Sequence, residues 1–228
     1  MNMVTNNKRR HVAVVDDHTF MRDGLKLFIS TLPDFSFAWG AESAAQAMVM
    51  LTADRPDLLV VDISLPDRNG LELIKDIHAL DSTLPILVIS MHEERLYVQR
   101  ALKSGARGYL MKNAPHAEYE SAFRKVVAGG ISVSPLLSEE ILLAFATGGG
   151  KPASGGGLEA LSDRELEVYQ LLGEGRSTPQ VAEALRISPK TVDVHKMNIR
   201  AKLKLEDGSA VVRHAIRWFE ARRLGGTA

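Results

Sequence analysis

Leu58-Leu59-Val60-Val61-Asp62-Ile63-Ser64-Leu65-Pro66-Asp67-Arg68-Asn69-Gly70 is a run of strand formers broken by one carboxylate, then closed by a turn rich in Pro, Asp, Asn and Gly. An apolar run of this kind reads as a strand covered on both faces. Asp62 then stands at the carboxyl end of a central strand, where open α/β sheets place their reactive crevice. Two other runs also end in reactive residues: Val12-Ala13-Val14-Val15 before Asp16-Asp17, and Ile86-Leu87-Val88-Ile89 before Ser90. All of these are expected to converge on Asp62.

Outward from that stretch, short apolar runs alternate with amphipathic helical stretches between His11 and about Gly130. Strands are predicted at 12–15, 35–39, 58–63, 85–90 and 107–111, and helices near 18–31, 43–54, 70–79, 93–104 and 116–128. Five strand–helix repeats predict an α/β fold with a doubly wound, five-stranded parallel sheet. Residues 131–147 read as a short strand and a helix, with Ser138 as N-cap before Glu139-Glu140. The glycine-rich segment 148–157 has the composition of a flexible coil and lacks a phosphate-binding pattern, so it reads as a linker. Residues 158–228 read as all-helical. Ser162-Asp163-Arg164-Glu165 is a capping box, Thr178-Pro179 an N-cap with proline at the first helical position, and Ser188-Pro189 a repeat of that device. Only a few residues separate the second and third of these helices, which is the spacing of a helix-turn-helix. The division is a first domain over 10–130, a linker region over 131–157, and a small all-α helix-turn-helix domain over 158–228.

Composition narrows the functions. The chain has 228 residues, 45% hydrophobic and 25% charged, as in ordinary globular proteins. Its formal net charge is +0, so any nucleic-acid footprint must be local. The absence of cysteine excludes disulfides, thiolate catalysis and Cys-based zinc sites. No apolar run approaches the length of a membrane span. A cytoplasmic protein without a membrane role is expected.

Asp16, Asp17 and Asp62 at adjacent strand ends repel one another unless a cation joins them, and hard oxygen ligands suit Mg²⁺. Lys112 adds a fixed positive charge and Ser90 a hydroxyl beside any group carried on Asp62. That set suits phosphoryl transfer to a carboxylate nucleophile. Val14-Val15-Asp16-Asp17-His18, Val61-Asp62-Ile63-Ser64-Leu65-Pro66, Val88-Ile89-Ser90 and Gly108-Tyr109-Leu110-Met111-Lys112 resemble a response-regulator receiver domain, flavodoxin-like in fold. The resemblance implies that Asp62 accepts a phosphoryl group from a phosphohistidine on a sensor histidine kinase. It implies Mg²⁺ held by Asp17, Asp62 and the Ser64 backbone carbonyl, with Asp16 helping through water. It also implies that Ser90 and Tyr109 are switch residues, the hydroxyl closing on the phosphate and the ring swinging inward. Asn113 departs from the proline found after the lysine in many receivers.

Arg186, Lys190, Lys196, Arg200, Lys202 and Lys204 are opposed only by Asp193. A charge run in isolation is a solvated face. On the second helix of a helix-turn-helix it marks a DNA contact: Lys190, Thr191 and His195 toward bases, Lys196, Arg200 and Lys202 toward phosphates. Val192, Ile199 and Leu203 are expected to face the core. Leu161 to Val168 and Ile187 to His195 resemble the LuxR-type DNA-binding module. With the receiver, the chain is similar to the NarL/FixJ class of response regulators. That class implies promoter DNA as partner and a homodimer when active, with Val211, Ala215 and Trp218 as candidate dimer contacts beside a reading as local packing. Asp193 lies where some members carry a contacting lysine, so their base pattern does not transfer.

The reading is a two-component transcription regulator and not an enzyme. A haloacid-dehalogenase-like phosphatase needs an acid two residues after the nucleophile, where this chain has Ser64. A scaffold with a vestigial receiver is at odds with the complete set Asp16, Asp17, Asp62, Ser90 and Lys112.

Overall fold

In the computed structural model of the chain, residues 9–91, 94–135, 137–139 and 157–225 are described. The chain divides into two compact units, Met1–Ala146 and Thr147–Ala228.

The first unit runs β1 (Arg10–Val15), α1 (Thr19–Thr31), β2 (Phe35–Ala41), α2 (Ala44–Ala53), β3 (Leu58–Val61), α3 (Gly70–Leu80), β4 (Ile86–Ser90), α4 (Glu94–Ser104), β5 (Gly108–Met111) and α5 (His116–Val127). The strands are parallel in the order β2-β1-β3-β4-β5. This is the doubly wound five-stranded sheet that the alternation predicts, with β3 at its centre. Every residue of β3 and β4 is buried. Period-two alternation is absent there because helices cover both faces. Register then aligns the reactive ends: Val15 pairs with Val61 and Val61 with Val88. The residues that follow β1 and β3 therefore emerge side by side.

The loop after β3 is held rather than free. The Asp67 carboxylate accepts the Ala44 and Ala45 N–H groups at 3.0 and 2.8 Å, capping α2 from a distance in sequence. Burial would raise its pKa, but those backbone hydrogen bonds outweigh it and hold the carboxyl below its ordinary value. Asn69, 2% exposed, accepts the Leu71 N–H at 2.8 Å and starts α3.

Ser138 is not an N-cap. It lies within a helical turn and donates its hydroxyl to the Ser134 carbonyl at 3.1 Å. The Ser134 hydroxyl accepts the Leu137 N–H at 3.4 Å, so the turn begins earlier than composition suggests. The helix expected through 147 and most of the glycine-rich linker lie outside the described residues.

The second unit contains a 3₁₀ turn (Leu158–Ala160), α6 (Asp163–Gly173), α7 (Thr178–Ala184), α8 (Pro189–Lys202) and α9 (Gly208–Gly225). The Ser162/Glu165 capping box opens α6 as predicted. For α7 the cap moves back one residue. Ser177 is the N-cap, its N–H donating to Gln180 Oε1 at 2.9 Å, and Thr178 is already helical. Ser188 caps α8 with Pro189 at the first position, as predicted. Between α7 and α8 the chain reverses in a Schellman-type closure, with Ile187 N–H donating to Ala182 O at 2.9 Å. Arg186 occupies the left-handed position there, at φ 52°.

Val192 and Ile199 are fully buried, as expected, while Leu203 is half-buried. Val211 and Ala215 are also fully buried, and the Trp218 ring stacks edge-on against Tyr169 at 5.7 Å. The dimer contact considered for Val211 and Ala215 gives way to packing within the module, whereas Trp218 is half-buried. Among the described residues no helix is long and apolar enough to cross a membrane.

Candidate functional site

The first unit gathers charge where β1, β3 and β5 end. Asp62 N–H donates to the Val15 carbonyl at 2.8 Å, extending the ladder one residue beyond the strand. Lys112 N–H donates likewise to the Ser90 carbonyl at 2.9 Å. The Lys112 ammonium then sits 2.7 Å from Asp16 Oδ2 and 2.8 Å from Asp62 Oδ2. Asp16 and Asp62 are 3% and 2% exposed, so this is a bridged ion group shielded from water.

Burial raises the Asp62 pKa to about 6, aided by the Asp16 charge and opposed by Lys112 and a hydrogen bond from the Ser64 backbone. For Lys112, burial alone would lower the pKa, but the Asp62 and Asp16 carboxylates outweigh it and raise it. One ammonium among three carboxylates leaves the group with residual negative charge. Asp16, Asp17, His18 and Asp62 each present a ligand atom, all within 4.8 Å of one another. Carboxylate-rich donors of this kind fit a hard divalent cation.

Ser64 lies in the loop after β3, where it bridges Asn69 in an antiparallel pair. Ser90 and Tyr109, on neighbouring strands, are 0% and 1% exposed. The structure thus brings Asp16, Asp17, Asp62 and Lys112 together and places Ser64, Ser90 and Tyr109 in the loop and strands around them.

Three further residues shape the pocket. The His18 Nδ1 lies 2.8 Å from Asp17 Oδ1 and 3.1 Å from Asp16 Oδ1. Its sequence signal is adjacency to the aspartate pair. The Tyr119 hydroxyl on α5 donates to the Lys112 carbonyl at 3.0 Å, so the lysine backbone is pinned from two sides. Burial and the Asp16 charge push the Tyr119 hydroxyl up to about 12, which keeps it a donor. Nothing in the local sequence marks that residue. Gly70 is the third: a Cβ there would lie 2.0 Å from the Asp62 carbonyl oxygen.

On α8 the six predicted DNA contacts separate. Lys190 and Arg200 are exposed. The Thr191 and Ser188 hydroxyls lie 2.7 Å apart. Lys196 reaches Thr178 Oγ1 at 3.3 Å and Asp193 Oδ1 at 3.5 Å. Lys202 pairs with Glu165 Oε2 at 2.6 Å; for Glu165 burial is outweighed by Lys202 and Ser162, and its pKa falls. His195 is half-buried with its Nδ1 enclosed and unpartnered, and burial together with Arg164 lowers its pKa. These side chains point partly into the module instead of standing together on its surface.

Comparison with known proteins agrees with both units. The response regulator receiver domain matches residues 12–124, and the bacterial regulatory proteins of the luxR family match 159–215. The chain is 30% identical over 236 residues to the transcriptional regulatory protein DegU of Brevibacillus brevis, covering 97% of this chain and 100% of that one. It is 30% identical over 209 residues to the oxygen regulatory protein NreC of Staphylococcus carnosus, covering 90% and 96%. A crystal structure of a LuxR-family two-component response regulator from Aurantimonas sp. SI85-9A1 aligns with TM-score 0.57 and 29% identity, over 61% of this chain and 99% of that one. With a receiver fold, a LuxR-type helical module and a relative alike along its whole length, this chain belongs to the two-component response regulators of the LuxR type.

Proposed function

We propose that this chain is a phosphorylation-controlled transcription regulator in which Asp62 is the phosphoryl acceptor and α8 engages promoter DNA. The observation that carries the reading is the Lys112 ammonium bridging Asp16 and Asp62 in a buried acidic pocket. An Asp62 carboxylate oxygen attacks the phosphorus of a phosphohistidine on a sensor kinase. The P–N bond breaks as the P–O bond forms, and the imidazole leaves. Asp16, Asp17, Asp62 and the Ser64 carbonyl would hold Mg²⁺, which when bound supplies charge neutralisation for the phosphoryl oxygens. Lys112 stands where it can move from the Asp62 carboxylate to a phosphoryl oxygen, and Ser90 and Tyr109 respond to the new group. Phosphorylation then shifts the receiver between two states of differing stability and promotes a homodimer.

The receiver occupies 10–130, the linker 131–157 and the DNA-binding domain 158–228, and the chain works by binding, not turnover, in the cytoplasm. Lys190 and Arg200 contact DNA directly, and Lys196 and Lys202 join them by exchanging their protein partners for phosphate; Thr191 stands at the amino end of the helix and His195, half-buried, at its middle. The test has two parts. Wild-type protein in Mg²⁺ should take up label from acetyl phosphate or phosphoramidate and Asp62→Ala should take up none; full labelling of the variant would overturn the site. Phosphorylated full-length protein should bind duplex DNA with affinity that falls steeply with salt, because phosphate contacts release counterions. Salt-independent binding would count against α8 as the contact.

A further inference from the structure

His18 holds the N-cap position of α1, where a short oxygen-bearing side chain is preferred because it accepts an N–H of the first turn. The imidazole makes no such capping hydrogen bond. Nor does it pack in the core, since its side chain is 65% exposed. The ring turns instead toward the aspartates, with Nδ1 2.8 Å from Asp17 Oδ1 and 3.1 Å from Asp16 Oδ1. The His18 N–H donates to that same Asp16 oxygen at 2.9 Å, so backbone and ring both lie against the acidic pair. Asp16 is fixed from its other side, where Arg22 donates to its carbonyl at 2.6 Å and the Lys112 ammonium takes Oδ2 at 2.7 Å. The His18 ring thus caps no helix and fills no core.

We propose that His18 is a nitrogen ligand of the divalent cation at this pocket and tilts the site from Mg²⁺ toward first-row transition ions. The proposal rests on the cation site proposed above. One ligand atom from each of Asp16, Asp17, His18 and Asp62 lies within 4.8 Å of the others. Donors around one octahedral ion stand about 3 Å apart when adjacent and about 4 Å apart when opposite. Small movements of the exposed ring therefore let one ion meet all four. Lys112 holds Oδ2 of Asp16 and of Asp62, which leaves Asp16 Oδ1 and Asp17 Oδ1 on the His18 side. A hydrogen bond between imidazole and carboxylate has the same 2.8 Å length, and the two roles part only when a cation arrives. Mg²⁺ prefers oxygen donors and keeps several waters, so it takes the carboxylates and leaves the ring aside. Transition ions hold imidazole nitrogen with an affinity that rises from Mn²⁺ to Co²⁺. A ring that only arranged the carboxylates would help every cation alike, whereas a ligand helps in proportion to the ion's affinity for nitrogen.

The test follows Mn²⁺ binding to full-length, unphosphorylated protein by the loss of the free ion's electron paramagnetic resonance lines, with Mg²⁺ and Co²⁺ as competitors at one fixed pH. Wild type is compared with His18→Ala and His18→Ser. Serine is a good N-cap, so the second variant keeps the start of α1 intact. Both variants should bind Co²⁺ about ten-fold more weakly or worse. Mg²⁺ affinity should stay within about two-fold of the wild type, and the loss for Mn²⁺ should fall between the two. A change that does not grow from Mg²⁺ to Co²⁺, no change included, would overturn ligation by His18 and leave the ring a neighbour of the carboxylates. Failure of the cation site itself reads differently: the free Mn²⁺ lines would keep their full height with wild type and variants alike, and the His18 assignment would fall with the site.

Discussion

At Asp62 two demands oppose each other. Attack on phosphorus requires the carboxylate, whereas burial favours the acid and raises its pKa from the ordinary 3.8 to about 6. The folded protein therefore binds a proton more tightly than the unfolded chain across that window. This group's contribution to stability is largest below the unfolded value and declines as pH rises through the folded one. Above about pH 6 the buried charge costs on the order of 3 kcal/mol. In chelated protein, Asp62→Asn should gain stability relative to the wild type by about 1 kcal/mol more at pH 8 than at pH 5. Urea unfolding at the two pH values measures it, and a pH-independent difference would show that Lys112 and not burial sets the Asp62 charge. The carboxylates and the lysine were legible in sequence because each terminates an apolar run. Tyr119 was not, since a hydroxyl that reaches back seven residues to the Lys112 carbonyl leaves no periodic trace.

Among the elements, the turn between α7 and α8 combines a tight geometry with an unfavourable residue. Arg186 sits at φ 52° where helix ends ordinarily use glycine, because a Cβ in that conformation crowds the following carbonyl. Arg186→Gly should stabilise the helical module by up to about 1 kcal/mol in thermal unfolding. A loss of stability would mean that the arginine side chain makes up for its backbone. Strands and helices were legible from apolar spacing, and their ends were less so. Ser177 rather than Thr178 caps α7, and Ser134 rather than Ser138 starts the short turn, because in each case two adjacent or nearby hydroxyls compete and only the backbone decides between them. The phase of α8 is set by the spacing of its two core residues. Placing Val192 and Ile199 in the core already turns His195, Lys196 and Lys202 aside and brings Val194 and Met197 outward. A count of positive charges carries no such phase.

For the whole molecule, alternation of strand and helix in one half and uninterrupted helix in the other made both architectures readable, since each depends on burial patterns repeated many times. The loop after β3 depended on single contacts, and there the decisive quantity is a distance. Gly70 has the Asp62 carbonyl oxygen 2.0 Å from where a Cβ would stand, whereas Gly24 in α1 has nothing within 4 Å. Gly70→Ala should cost about 3 kcal/mol, and Gly24→Ala should stabilise by about 0.5–1 kcal/mol, both read from denaturation midpoints of full-length protein. Equal effects would mean that the loop yields freely. In a library that replaces every position of the chain, Gly24 will therefore drift while Gly70 stays closed even to the smallest side chain. The surroundings of Asp62 are constrained less by what its neighbours do than by an atom that one neighbour must lack.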